Sequence, residues 1–150
     1  FLNLYAKNIK TYLPLKTSKG TIYMDLYTYG IFNKTISYIN NNIDKNASIL
    51  VLPEGHIINY LTDRKTDMKC HMMDRLYHDA FGSERARDEI FWSNPDYIII
   101  IKKFKLHDFF HQYLYKSNNN PSIIYIYHHY EKVKQIENKL GQVKIMKKKE

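Results

Sequence analysis

The chain has 150 residues, 44% of them hydrophobic and 15% aromatic, with a formal net charge of +8, the size and apolar content of one packed domain. Five glycines and four prolines exclude a collagen or a Pro-rich disordered tract, and one cysteine, Cys70, excludes an internal disulfide framework and any multi-thiolate zinc or iron–sulfur centre. No apolar run exceeds the five residues of Tyr97 to Ile101, which is strand length, so nothing in these residues reads as a membrane-spanning helix.

Residues 1–19 lack sustained periodicity and contain Pro14, which marks a lead-in segment ahead of a single domain over 20–150. Phe1 comes first, with no charged n-region, apolar core and cleavage site behind it, so the sequence reads as a portion of a longer protein. Thr21 to Tyr27 is a β-rich run after Gly20, and Ile31, Thr35, Tyr38 or Ile39, and Asn42 or Ile43 recur at helical spacing up to the polar Asp44 to Asn46. Ser48 to Leu52 is a short apolar strand, Pro53 to Gly55 a turn, His56 to Leu61 a short helix, and Thr62 to Lys69 a polar loop. Met72, Met73, Leu76, Tyr77 and Ala80 fit a helix that Gly82 stops. Ser83 can cap a second helix through Trp92, which Asn94-Pro95 breaks.

Asp96 to Lys102 reads as a strand covered on both faces. Leu106, Phe109, Phe110, Tyr113 and Leu114 line one helical face, Ser117 to Pro121 is a turn, and Ser122 to Tyr127 is β-branched and aromatic like a strand. The tail has two readings. Tyr130, Val133, Ile136 or Glu137, and Leu140 permit a helix ending at Gly141, whereas Val143, Ile145 and Met146 among lysines suggest a strand. The alternation predicts an α/β fold: a three-layer, mainly parallel sheet with helices on both faces and strands near 21–27, 48–52, 96–102 and 122–128.

Charges between Arg64 and Glu89 are mixed, and the basic excess lies at the ends, in Lys7, Lys10, Lys16 and Lys19 and in Lys132, Lys134, Lys139, Lys144 and Lys147 to Lys149. Such ends suit a nucleic acid, an anionic membrane surface, or solvent alone. With fourteen tyrosines, a basic nucleic-acid-binding module is one alternative for the chain.

His107 and His111 stand at i and i+4, the spacing of a zinc-binding helix, with Asp108 where a metalloprotease carries Glu and with His128 and His129 downstream; a soluble zinc hydrolase is the further alternative. Asp74 and His78, also at i and i+4 beside Arg75, Tyr77 and Asp79, form a candidate orienter and base with no accompanying nucleophile. Cys70 and His71 diverge by about 100° on a helix, too far to serve one site. No phosphate loop or dinucleotide fingerprint occurs among the glycines, so no cofactor follows from the sequence. Asn33-Lys34-Thr35 and Asn46-Ala47-Ser48 are glycosylation triplets, the second with Asp44 two residues ahead. The polar residues that follow the 48–52 strand lie where open α/β sheets bind ligands. Glu54, Asn59 and Arg64, with His56 and Tyr60 beside them, are therefore the candidates for a ligand or interdomain contact, and no catalytic or metal-ligating residue is assigned.

Ser18 to Ile22, then Val51 to Gly55 with Asn59 to Thr62 and Arg64, then Asn94 to Ile98, and a final Val143 to Lys147 form an ordered series. In this series the chain resembles the C-terminal soluble domain of polytopic bacterial membrane proteins similar to dolichyl-phosphate mannose protein mannosyltransferases, the lipid-linked-sugar enzymes of the C-type glycosyltransferase superfamily. The resemblance covers most of residues 18–147. It implies an accessory, non-catalytic domain on the extracytoplasmic, periplasmic side of a cytoplasmic membrane. Its implied partners are the transmembrane region of the parent protein and a lipid-linked sugar or acceptor; donor-binding helices and catalytic acid would lie ahead of Phe1. It also favours a terminal hairpin, Glu131 to Ile136 with Val143 to Met146. Where such proteins often have Gly before the arginine, this chain has Asp63, which argues against a positive φ there.

Overall fold

The structure is a computed structural model that describes residues 12–53, 55–69, 73, 75–103, 120–139 and 141–150. Strand β3 (Ile49–Leu52) is apolar and buried at every position, the pattern of a strand packed on both faces. It pairs in parallel with β4 (Tyr97–Lys103), Leu50 opposite Ile98 and Leu52 opposite Ile100. β4 pairs antiparallel with β6 (Gly141–Lys148), and β6 antiparallel with β5 (Tyr130–Asn138), so the four-stranded sheet runs β3-β4-β6-β5. The terminal hairpin favoured by the resemblance is present. Its outer strand is irregular between Lys132 and Lys134 and carries charged, exposed side chains, two devices that blunt a sheet edge.

The fold is mixed α/β, and the sheet is mixed rather than mainly parallel. The segment expected as a strand at 122–128 is instead a helix, Pro121–His129. The Asn120 side chain accepts the Ser122 amide at 3.0 Å, and Pro121 begins the helix, where its missing N–H is no loss. Ser122 and Ile126 are its buried residues, four apart, so one helical stripe rather than alternate side chains meets the core. The place of a further parallel strand beside β4 is taken by β6.

The strand expected at 21–27 stops at Asp25. Its carboxylate accepts the amides of Tyr27 and Thr28 at 3.0 and 3.1 Å and starts helix α1 (Leu26–Asn42). Hydrogen bonding from Thr28, by side chain and amide, and from Tyr27 holds the Asp25 carboxyl below its usual value against a weaker opposing effect of burial. Residues 12–17, expected within a lead-in segment, form strand β1 (Tyr12–Thr17), which pairs antiparallel with β2 (Gly20–Asp25) in a separate two-stranded sheet. Proline is tolerated in such an edge strand, and Pro14 lies opposite Tyr23.

Two more helices follow β3: α2 (His56–Thr62), close to its expected bounds, and α3 (Arg75–Ser93). Gly82, at φ 81°, leaves the helical region inside α3, so two helical segments meet there as the sequence predicts. Pro121–His129 is α4.

Alternation along the sheet sorts the core. Leu50, Leu52, Ile98, Ile100 and Met146 cluster with Tyr77, Ala86 and Ile90 of α3 and Ile126 of α4. Ile49, Val51, Ile99, Val143 and Ile145 cluster with Ile39 of α1 and Ile58 of α2. A smaller cluster, Leu15, Met24, Ile36 and Leu61, seats the β1–β2 hairpin against α1 and α2.

Candidate functional site

Two candidate residues, Asn59 and Arg64, lie within the scaffold rather than in an open site. The turn from β3 into α2 is tight: a Cβ added at Gly55 would overlap Cγ1 of Val51 and stand 2.7 Å from its Cβ. Asn59 is buried, and its Nδ2 donates to the Ile49 carbonyl at 2.8 Å, tying α2 to the first residue of β3. Arg64, only 5% exposed, donates from Nη1 to the Thr62 carbonyl at 2.6 Å and from Nη2 to the Ile43 carbonyl at 2.8 Å. Thr62 ends α2 and Ile43 caps α1, so the guanidinium sits where the negative ends of two helices converge. Its Nε is buried without a hydrogen-bond partner among the described residues. The Arg64 amide donates to the Asn59 carbonyl at 3.1 Å, which makes the two residues neighbours through backbone, not through a shared polar surface.

His56 and Tyr60 lie on the exposed side of α2. The Lys19 ammonium is 5.7 Å from the Tyr60 ring centroid and 2.7 Å from Asp63 Oδ1. Glu54 lies outside the described residues, as do Cys70, His71, Asp74, His107 and His111. Asp63 does adopt a positive φ, 51°, as the left-handed cap of α2, and its amide reaches back toward Asn59 and Tyr60. Aspartate is among the few non-glycine residues that tolerate this conformation, so the expectation against it is corrected.

The other motif residues are structural too. Ser48 donates from its amide and hydroxyl to Asp96 Oδ2 at 2.8 and 3.0 Å, and the Asp96 amide donates to Ser48 Oγ at 3.1 Å. Lys148 N donates to Asp96 O, and the Tyr130 hydroxyl donates to Pro95 O at 2.9 Å. The segment from Asn94 to Ile98 thus fastens the start of β3, the start of β4 and the end of β6 at one point. Burial, more than the neighbouring Tyr125 and Asp96, pushes the Tyr130 phenol well above its usual value. Both glycosylation triplets have engaged hydroxyls: Thr35 is fully buried and donates to Ile31 O, and Ser48 is held by Asp96. His78 is buried against the edge of Tyr77, ring centroids 6.1 Å apart. His128 and His129 close α4, and among the described residues no group of three or more metal-ligating side chains forms.

Sequence reasoning missed a groove along α3. Asp67, Lys69, Arg85, Asp88, Glu89, Trp92 and Ser93 line about 280 Å³ of it, and Tyr77 and Phe81 extend it past Lys69. Arg85, Asp88, Glu89 and Trp92 recur at helical spacing in the segment after Gly82, which was the available signal. Glu89 accepts from Tyr77 Oη at 3.2 Å and from Arg85 Nε at 3.3 Å, so its charge is already paired, while Trp92 is 80% exposed.

No family model matches the chain, and no curated protein or solved structure matches it either.

Proposed function

We propose that this chain is an accessory, non-catalytic domain on the extracytoplasmic side of a bacterial cytoplasmic membrane, part of a glycosyltransferase-like protein whose spanning region uses a lipid-linked sugar donor. The observation that carries it is the ordered series of resembling segments together with the role each plays here. Val51 to Gly55, Asn59 to Arg64, Asn94 to Ile98 and Val143 to Lys147 are far apart in sequence, yet their described residues contribute to the adjoining strands β3, β4 and β6 and to the bracing of β3 by α2, while Ser18 to Ile22 belongs to the separate β1–β2 hairpin. Their polar groups hold backbone: Asn59 the β3 strand, Arg64 two helix ends, Asp96 the Ser48 turn. A signature composed of scaffold residues fits a domain whose chemistry is done elsewhere in the parent protein. Within this proposal the domain has three layers, with α1 and α2 on one face of the sheet and α3 and α4 on the other, in keeping with the two apolar clusters. Its partners are the transmembrane region of the parent and, through it, a lipid-linked sugar or acceptor.

The full coding sequence tests this directly. Several apolar stretches of about 20 residues upstream of Phe1 are expected. A product little longer than the present 150 residues, with no such stretch, would remove the proposal.

A further inference from the structure

We propose that one face of the domain, formed by Tyr12, Tyr23, Leu26 and Tyr27 with Lys16 and Lys139 beside them, rests on the headgroup zone of an anionic bilayer. A bilayer at hand comes from the proposed function above; the face that meets it comes from the structure. In the β1–β2 hairpin, Tyr12, Pro14 and Lys16 lie opposite Asp25, Tyr23 and Thr21, on the side away from the buried Leu15 and Met24. Leu26 and Tyr27 follow at once in the first turn of α1. These four large side chains are 47%, 68%, 59% and 43% exposed, in the order Tyr12, Tyr23, Leu26, Tyr27. Asn138 Nδ2 donates to the Tyr27 carbonyl at 2.7 Å, which sets the β5–β6 turn and its exposed Lys139 against the same patch.

The chemistry is that of a membrane interface. Tyrosine carries an apolar ring with a polar tip and is enriched at headgroup level, and lysines nearby are drawn to anionic lipid. The carboxylate of Asp25 is engaged by the amides of Tyr27 and Thr28, and that of Glu137 accepts from Gln135 and Gln142. In sequence, the segment leading into Tyr12 has the same make-up, with Phe1, Leu2, Leu4, Tyr5 and Ile9 beside Lys7 and Lys10. The rival surface, the groove along α3 with Trp92, sets Lys69 and Arg85 among Asp67, Asp88 and Glu89 and so offers an anionic bilayer no basic excess.

The test uses the 150-residue chain and phosphatidylcholine vesicles with and without phosphatidylglycerol at about one third of the lipid. Trp92, the sole tryptophan, is a built-in reporter for the α3 surface, and a solvatochromic dye on Tyr23→Cys in a Cys70→Ser background reports the proposed face. Expected are co-sedimentation with the anionic vesicles, a loss of at least about fivefold in the pelleted fraction for Tyr23→Ser with Leu26→Asn, quenching of the dye by brominated acyl chains, and no quenching of Trp92. Both substitutions fall on exposed positions, and the dye measurement stands without them. No pelleting, pelleting indifferent to the double substitution, or quenching of Trp92 in place of the dye would overturn the proposal. So would a dimer, free of vesicles, that the double substitution dissolves, because a second copy would then cover the face. Failure here with apolar spans found upstream removes this docking face alone, whereas a parent without such spans removes the proposed function whatever the vesicles show.

Discussion

Replacing Arg64 by Ala tests how the two helix ends are held. The guanidinium makes two charge-assisted hydrogen bonds, to Thr62 O and Ile43 O, each contributing about 1.5–3 kcal/mol. Their loss, about 3–6 kcal/mol in sum, is partly offset because the substitution also frees a buried cation whose Nε lacks a partner, a relief of about 1–3 kcal/mol. A net cost of about 3 kcal/mol is expected, or a fall in melting temperature of about 6–12 °C for a domain of this size. Arg64→Met keeps the apolar stem and is expected to cost about 2 kcal/mol, and Arg64→Lys, which reaches one carbonyl at most, about the same. Urea unfolding followed by far-UV circular dichroism reads all three. Because the group is buried, the cost is expected to persist at high salt. An Arg64→Ala stability within about 1 kcal/mol of the parent chain would refute the view that this guanidinium ties the ends of α1 and α2.

Asn59→Ala leaves the Ile49 carbonyl without its side-chain donor and is expected to lower stability by about 2 kcal/mol in the same assay. Gly55→Ala forces a methyl onto Val51, so it is expected to destabilise strongly alone and less when combined with Val51→Ala, a coupling that a double-mutant cycle measures. Asp63→Gly is expected to be tolerated, while Asp63→Val, with a branched side chain at φ 51°, is expected to cost about 1–2 kcal/mol by thermal melting. The Asp25 carboxyl is held below its unfolded value, so its stabilising effect is present above that unfolded value, about 3.9, and is lost as pH falls through the lower folded value. Asp25→Asn is accordingly expected to flatten the stability profile in that acid window.

Strands buried on both faces were the most legible elements. Ile49 to Leu52 and Tyr97 to Ile101 are continuous apolar runs, and both form strands of the sheet. Ile123 to Tyr127 misled, because β-branched and aromatic residues carry a strand preference of modest size that context overrides. Here Asn120 and Pro121 supply a helix start, and only Ile126 among those five needs to be buried. Pro14 similarly masked β1, since proline ends strands inside sheets but not at their edges. The candidate site divides along the same line. Asn59 and Arg64 were visible as polar residues after a buried strand, but whether they face a ligand or their own backbone depends on Ile43 and Ile49, each distant from its partner in sequence. The Ser48–Asp96 link, 48 residues apart, left no local pattern at all. The groove along α3 was open to a periodicity search, which was drawn instead to the apolar positions of that helix.

Transfer of sugar from a polyprenyl-phosphate donor, measured in membranes containing the full-length parent and in parallel with the isolated 150-residue chain, tests the accessory-domain account most directly. The account predicts transfer by the parent and none by the isolated chain. Transfer by the isolated chain alone, or none by a parent that is folded and membrane-embedded, would contradict it.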